Sequence, residues 1–246
     1  MISTKSQANA LDVRNFVSSH TTSYPDIDSS QVQLPQPYVV CIIGGRGAAG
    51  GALARSYARA GASGIILGAR TISLLEEVAN EVKIISPSTK VVVEKCDISL
   101  NDNVASLAAK SQAEFGGHLD VVVVNSGYSG PIVNDIIKEP PDVFQQAINV
   151  NYTGTYHAAH HFLPLLLNSP TGAMSFIGIS SMAAPTVAGP VAHIHYCTSK
   201  AAQVKVIEMI SEQYASKGLF CASVHPGGIK SDLSASVTPK EYEGSK

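Results

Sequence analysis

The sequence predicts an α/β fold: a doubly wound parallel sheet of the Rossmann-like kind, a three-layer α/β/α arrangement of about six strands. Three observations carry that expectation. Short apolar runs rich in Val and Ile, such as Tyr38-Val39-Val40-Cys41-Ile42-Ile43 and Asp120 to Val124, show no polar alternation, the pattern of strands buried on both faces. Segments of helical periodicity separate these runs, and strands alternating with helices build a parallel sheet. The first run breaks into Gly44-Gly45-Arg46-Gly47-Ala48-Ala49-Gly50-Gly51 before the first helix. Strand, glycine turn and helix in that order let a backbone approach a pyrophosphate seated at a helix N-terminus.

Residues 1–37 are polar, rich in Ser, Thr, Gln and Pro, and end in Leu34-Pro35-Gln36-Pro37. They read as an N-terminal arm that packs loosely, if at all, against one domain of residues 38–246. After the glycine turn, Ala52 to Ala60 is an Ala-rich helix with Leu53 and Tyr57 on one face, closed by Gly61. The second strand, Gly64 to Gly68, delivers Ala69-Arg70 to the place where the chain crosses an adenosine ribose. An acid there meets a 2′-hydroxyl and an Arg meets a 2′-phosphate. Arg70, with no acid at the strand end, predicts NADP (NADPH) as cofactor over NAD.

Helix Ser73 to Ile85, strand Val91 to Lys95 with Cys96-Asp97-Ile98 at its end, helix Asp102 to Phe115 and strand Asp120 to Val124 follow. Ligands of such sheets sit at the carboxyl ends of the strands, where Asp97 and Asn125-Ser126-Gly127 fall. Asp142 to Leu167 reads as one long helix or a pair, containing Asn151 and Pro164. Strand Met174 to Ile179 then delivers Ser180 and Ser181, a helix opens at Tyr196, and Leu219 to Val224 makes a sixth strand ending in His225-Pro226-Gly227-Gly228-Ile229.

Tyr196 and Lys200 lie four residues apart, one turn apart on one helical face. A free phenol titrates near ~10, and a neighbouring ammonium favours the phenolate, so the pair reads as a tuned acid/base. Ser180 and Ser181 stand where a hydroxyl could hold a substrate oxygen against the phenol. Tyr-x-x-x-Lys also occurs in many helices as a half-buried Tyr beside a solvated Lys, so the surroundings decide.

Composition excludes several classes. The chain has 246 residues, 45% apolar and 15% charged, with a formal net charge of -2. With no Lys/Arg cluster, neither nucleic acid nor an anionic membrane is expected as a partner. No apolar run approaches the ~20 residues of a membrane span, and Met1 to Gln7 lacks the apolar core of a secretory signal, so a cytoplasmic protein is expected. Cys41, Cys96, Cys197 and Cys221 are far apart and read as reduced thiols. No Cys/His spacing matches a zinc site, and no metal is expected. His160-His161 reads as part of a helix surface.

Together these residues resemble the short-chain dehydrogenase/reductase family in its classical form, from about Tyr38 to Asp232. The glycine loop, Asp97, Asn125-Ser126-Gly127, Asn151, the Ser pair, Tyr196-x-x-x-Lys200 and Pro226-Gly227 stand in family order at family-like separations. The arm with Tyr24-Pro25-Asp26-Ile27-Asp28 is similar to the lead-in of fungal members. The resemblance implies that Tyr196 is the acid/base, that Lys200 depresses its pKa and holds the nicotinamide ribose, that Ser181 orients the substrate oxygen, and that Asn151 sits in the proton relay. It further implies that Ile43, Gly44, Gly47 and Gly50 form the pyrophosphate turn, that Asp97 meets the adenine with Ile98 beside it, and that Asn125 and Gly127 line the cofactor. Pro226, Gly227 and Ile229 would close over the nicotinamide, with Ser231 in the place of a family Thr near the carboxamide.

The chain departs from the family pattern in places. Registered on Gly61, the glycine motif puts Ile43 where the family has Thr and Ala48 where it has the middle Gly, unless the turn shifts so that Gly47 serves. Val124 replaces the first residue of the usual Asn-Asn-Ala-Gly. The Ser181 to Tyr196 interval is about two residues longer than usual, which enlarges the loop Met182 to His195. The sequence stops twenty residues after Pro226. The usual seventh strand is therefore expected to be missing, with the last edge open or covered by a partner.

These features predict an NADPH-linked oxidoreductase that interconverts a carbonyl compound and an alcohol. The alternative is a noncatalytic NADP-binding or partner-binding protein of the same fold, favoured by the altered turn and short C-terminus and opposed by the retention of Asn151, Ser181, Tyr196 and Lys200. A hydrolase using Ser180 or Ser181 with His193, His195 or His225 lacks support, because Gly178-Ile179-Ser180-Ser181-Met182 has no second glycine of a nucleophile elbow. The loops Tyr128 to Val133 and Met182 to Ile194 are mostly apolar and carry no acid, Lys or Arg, which predicts a small neutral substrate. Family association would run through the helices Asp142 to Leu167 and Tyr196 to Tyr214, as a homodimer or homotetramer.

Overall fold

The computed structural model describes residues 24–169, 171–189 and 192–231. The first part of the expected arm, residues 1–23, and the C-terminal stretch on which the missing seventh strand was argued, residues 232–246, lie outside the described residues.

Six strands form one parallel sheet: β1 (Val39–Ile43), β2 (Gly64–Ala69), β3 (Lys90–Lys95), β4 (Val121–Val124), β5 (Ser175–Ile179) and β6 (Phe220–Val224). Their order across the sheet is β3-β2-β1-β4-β5-β6. The direction of travel reverses between β1 and β4, and that switch point opens a crevice at the carboxyl ends of the strands. The helices are α1 (Gly47–Arg59), α2 (Ile72–Ile85), α3 (Asn101–Glu114), α4 (Pro141–Ala147), α5 (Gly154–Asn168) and α6 (Ile194–Tyr214).

The unbroken apolar runs do what their pattern requires, feeding both faces of the sheet. Val39, Cys41 and Ile43 of β1, with Ile66, Val122 and Val124, join Leu107, Phe162 and Ile207 from α3, α5 and α6. Val40, Ile42, Ile65, Leu67, Val121 and Val123 point the other way, onto Ala54 and Ala58 of α1 and Leu75 and Val82 of α2. Where a helix crosses closest, the strand has no side chain: a Cβ on Gly178 of β5 would lie 2.3 Å from Ile207 Cδ1. That contact seats α6, and with it Tyr196, against the strand that carries Ser180 and Ser181.

The stretch expected as one helix or a pair is α4 and α5 joined by a π-helical turn, Ile148–Thr153, with Asn151 fully buried inside it. Such wide turns force a side chain out of helical register and recur at functional sites. Pro164 is accommodated within α5. α1 opens five residues before the expected Ala52, because Gly47 to Gly51, expected in the turn, already form its first turn and more; the remaining elements match their expected spans to within a residue or two, as helix and strand ends do.

Part of the polar N-terminal stretch is tied to the domain. Leu34 N donates to Ala60 O at 2.9 Å and Gln36 Nε2 to Gly61 O at 2.6 Å, while Leu34 packs on the α1 side of the core. At the opposite end β6 is the last strand of the described sheet, with Phe220 59% and Val224 41% exposed. No helix among the described residues is long and apolar enough to cross a membrane.

Candidate active site

The glycine turn lies at the switch point. Gly44, at φ +91°, donates its N–H to Gly68 O at 2.7 Å, and a Cβ there would lie 2.6 Å from Ser126 N. A Cβ on Gly50 would lie 2.0 Å from Gly44 O, the same oxygen that accepts a 2.7 Å hydrogen bond from Asn125 Nδ2. Gly44, Gly50 and Asn125 thus close one tight corner, with Ile43 buried beneath it. Gly47 opens α1 at φ +70°, and its Cβ position has no heavy atom within 4 Å. Gly47 and Ala48 are the first two residues of the helix, and of the two Gly47 holds the positive φ that only a glycine takes readily. No side chain caps α1. Uncapped N–H groups above an open glycine corner suit an anion, and a pyrophosphate fits them in kind.

Around that corner the other cofactor candidates stand at strand ends. Arg70 follows the last residue of β2 and is exposed. Arg46, at the N-cap of α1, is a second cation beside the turn that the sequence reading did not single out; its place directly before Gly47 was the available signal. After β3, Asp97 Oδ1 accepts from Ser99 N at 3.0 Å and Ser99 Oγ at 2.7 Å, and Ile98 is buried with its carbonyl 3.2 Å from His157 Nδ1. Pro226, Gly227, Ile229 and Ser231 follow β6; Gly227 has φ +81°, and Pro226 and Gly227 are exposed.

Asn151, Ser181, Tyr196 and Lys200 come together at the carboxyl ends of β4 and β5. Tyr196 lies in the first turn of α6, with the Ser181 hydroxyl close enough to its phenol to favour the charged form. Lys200 is buried, with Nζ 5.9 Å from the Tyr196 ring centroid. It donates to Ile179 O at 2.8 Å and to Gln203 Oε1 at 2.9 Å. Gln203 Nε2 continues to Thr155 Oγ1 at 3.0 Å, which donates to Asn151 O at 2.7 Å. The Asn151 amide donates to Tyr128 O at 2.7 Å and Ser199 Oγ at 2.9 Å and accepts from Tyr128 N at 2.9 Å. Gly127 joins the group, since its Cβ position lies 3.6 Å from Asn151 Oδ1 and 3.8 Å from Lys200 Nζ. The buried Ser180 hydroxyl has no hydrogen-bond partner among the described residues.

Electrostatically the pair differs from expectation. Burial raises Tyr196 above the usual phenol value, and the Ser181 hydrogen bond opposes that only in part. Burial also lowers Lys200 to about 7, so the ammonium meant to favour the phenolate is itself held at the edge of losing its charge. Its head is directed at Ile179 O and Gln203, two neutral acceptors that do not offset the loss of water.

Sequence reasoning missed Gln203, whose spacing of three from Lys200 puts it on the same helical face. It weighed His193 and His195 as bases for a hydrolase. Both are buried, His195 opens the first turn of α6 beside Ile194, and its Nδ1 lies 2.5 Å from Glu139 Oε1. No group of His, Cys, Asp or Glu that could hold a metal occurs among the described residues, and all four cysteines are free thiols. The His160 and His161 rings meet edge to face at 4.8 Å on α5.

A switch-point crevice with a glycine corner at a helix N-terminus defines a Rossmann-like protein of the dinucleotide-binding kind. Residues 38–242 match the model of the short chain dehydrogenase family. The chain belongs to that family of oxidoreductases, which use nicotinamide cofactors. It is similar to the short chain dehydrogenase pigC of Monascus ruber, 34% identical over 223 residues that make 87% of this chain and 69% of the relative. It is similar also to the short chain dehydrogenase pgmD of Aspergillus terreus, 30% identical over 222 residues, 87% of this chain and 71% of the relative. Among solved structures, a short-chain type dehydrogenase/reductase from Mycobacterium marinum superposes with a TM-score of 0.74 at 28% identity, over 82% of this chain and 76% of that one.

Proposed function

We propose that the protein interconverts a small neutral carbonyl compound and its alcohol with NADP(H), Tyr196 serving as acid/base. The observation that carries this reading is the convergence of four side chains at the carboxyl ends of β4 and β5: Lys200 Nζ lies 5.9 Å from the Tyr196 ring centroid, Ser181 lies close enough to act on the phenol, and the Cβ position of Gly127 lies against both Asn151 Oδ1 and Lys200 Nζ. The nicotinamide cofactor supplies the hydride when bound. Gly44, Gly47 and Gly50 receive its pyrophosphate, Arg70 its 2′-phosphate, Asp97 and Ile98 its adenine end, and Asn125, Gly127, Pro226, Gly227, Ile229 and Ser231 its remaining length.

The chain's own residues supply position and the proton. Ser181 orients the substrate oxygen, and Tyr196 gives that oxygen its proton in reduction or removes it in oxidation. The raised phenol suits the first direction at neutral pH, because the acid is fully protonated. Lys200 lies close enough to answer a developing phenolate with its charge, and Gln203, Thr155 and Asn151 form the line of hydrogen bonds that holds its head in place. Association through α5 and α6 accounts for the exposure of Tyr156 and Met209, both 54%, and sizing by light scattering against a dimer or tetramer mass tests it.

The experiment is loss of NADPH absorbance against a panel of neutral ketones and aldehydes, with wild type and Tyr196→Phe. Tyr196→Phe should bind NADPH unchanged and lose roughly 10²–10⁴ in turnover, the share of a positioned general acid. Full turnover in that variant assigns the acid elsewhere and overturns the reading.

A further inference from the structure

Beside the site lies a buried polar cluster that the chemistry above does not use. His195 Nε2 lies 2.6 Å and His193 Nε2 3.1 Å from the same carbonyl oxygen, that of Ser129. A carbonyl oxygen only accepts, so each Nε2 carries a hydrogen. The remaining ring nitrogen of His195, Nδ1, stands 2.5 Å from Glu139 Oε1, and one proton lies between them. The His195 side chain is 0% and the Glu139 side chain 5% exposed, so water does not substitute for either partner. A Cβ on Gly130 would come 2.7 Å from His195 Nε2, which shows how tightly the segment after β4 closes on the imidazole.

This cluster touches the phenol. The His193 ring lies nearly parallel to that of Tyr196, at 13° and 5.3 Å between centroids, and 4.6 Å from His195. His195 immediately precedes Tyr196 in the first turn of α6. Both imidazoles hang from one oxygen of the segment after β4, and the acid that completes the arrangement comes from the same segment.

We propose that Glu139 is a positioning residue for Tyr196: through His195 and the Ser129 carbonyl it holds His193 flat against the phenol and sets the direction in which the hydroxyl meets Ser181. Without the carboxylate, Nδ1 of a fully buried imidazole has no partner. The ring then turns to find one, releases Ser129 O, and frees both His193 and the first turn of α6. The kinetic side of the proposal rests on Tyr196 being the acid/base; the structural side does not.

The test uses the full chain labelled with ¹⁵N in histidine and ¹³Cζ in tyrosine, with Tyr196→Phe assigning the phenol resonance. Glu139→Gln keeps a partner for Nδ1, because its amide can donate. Glu139→Ala removes the partner, and Glu139→Asp, a milder change to the fold, withdraws it by one methylene. Wild type and Glu139→Gln should show Nε2 of His195 protonated at neutral pH and the same Tyr196 resonance and titration midpoint. Glu139→Ala and Glu139→Asp should lose the His195 signature and shift both Tyr196 readouts, with NADPH affinity unchanged. In turnover they should lose about 10²-fold in kcat at nearly constant KM, the cost of a misplaced reacting group, and Glu139→Gln should restore most of it. The proposal is overturned if folded Glu139→Asp keeps the wild-type Tyr196 resonance and midpoint, or if Glu139→Gln is damaged as deeply as Glu139→Ala. Should wild type turn over no carbonyl compound, the reading of function fails, while the resonances still decide the role of Glu139.

Discussion

Replacing Lys200 with Met isolates the energetic cost of burying its charge. Lys200 is 3% exposed, and burial alone brings its pKa from 10.5 to about 7. Below about pH 7 the amine is charged in folded and unfolded chains alike, and the full penalty is present, on the order of 5 kcal/mol by the equivalence of one pKa unit to ~1.4 kcal/mol. Between about 7 and 10.5 the folded chain has released a proton that the unfolded chain still holds, so stability rises with pH across that window. Lys200→Met keeps most of the aliphatic stem and cannot titrate. It also strips a donor from Ile179 O and Gln203 Oε1, a loss of roughly 1–3 kcal/mol that does not vary with pH. The difference in urea unfolding free energy, variant minus wild type, should therefore be most favourable to the variant at pH 6 and fall by about 1.4 kcal/mol per unit above pH 7. Taking the difference cancels the opposite alkaline trend of the buried thiols, Cys96 pushed up to about 12 and Cys221 to about 11. A difference that stays level from pH 6 to 9 would refute the reasoning, since it would mean that Lys200 carries its charge in the fold without cost.

Three further outcomes follow from the site. Tyr196→Phe should separate binding from chemistry, leaving NADPH titrations intact while turnover drops by roughly 10²–10⁴. Arg70→Ala should weaken NADPH by at least about tenfold, the lower bound of a charge-assisted contact at roughly 1.5–3 kcal/mol, and leave NADH unchanged; paired titrations of both nucleotides check this, and equal wild-type affinities would remove NADP(H) as the cofactor of choice. Gly50→Ala should abolish nucleotide binding by either cofactor, because the new Cβ meets Gly44 O at 2.0 Å and that backbone cannot yield without opening the turn; calorimetric titration together with the melting temperature separates a broken turn from a broken fold.

By itself the sequence determined the layers, the parallel character of the sheet and the glycine corner after the first strand. The reason is that buried parallel strands, amphipathic helices and glycine turns are local patterns, each written within a dozen or so neighbouring residues. Val39 to Ile43 could feed both faces of a sheet only if helices covered both, and the alternation of Val39 and Val40 between the two core clusters follows from the two-residue period of a strand. The meeting of Asn151, Ser181, Tyr196 and Lys200 was legible only through a family likeness, because the residues come from three separate elements and no spacing rule joins them. Tertiary structure alone decided the rest. Burial, which depends on what packs over a residue, raised Tyr196 and lowered Lys200 where helical spacing had promised a depressed phenol. The π-helical turn that puts Asn151 inward adds no marked residue type to the chain. Glu139 and His195 are 56 positions apart, and only the closing of the segment after β4 onto α6 makes a hydrogen-bonded pair of an acid and a histidine that, read along the chain, belong to different elements.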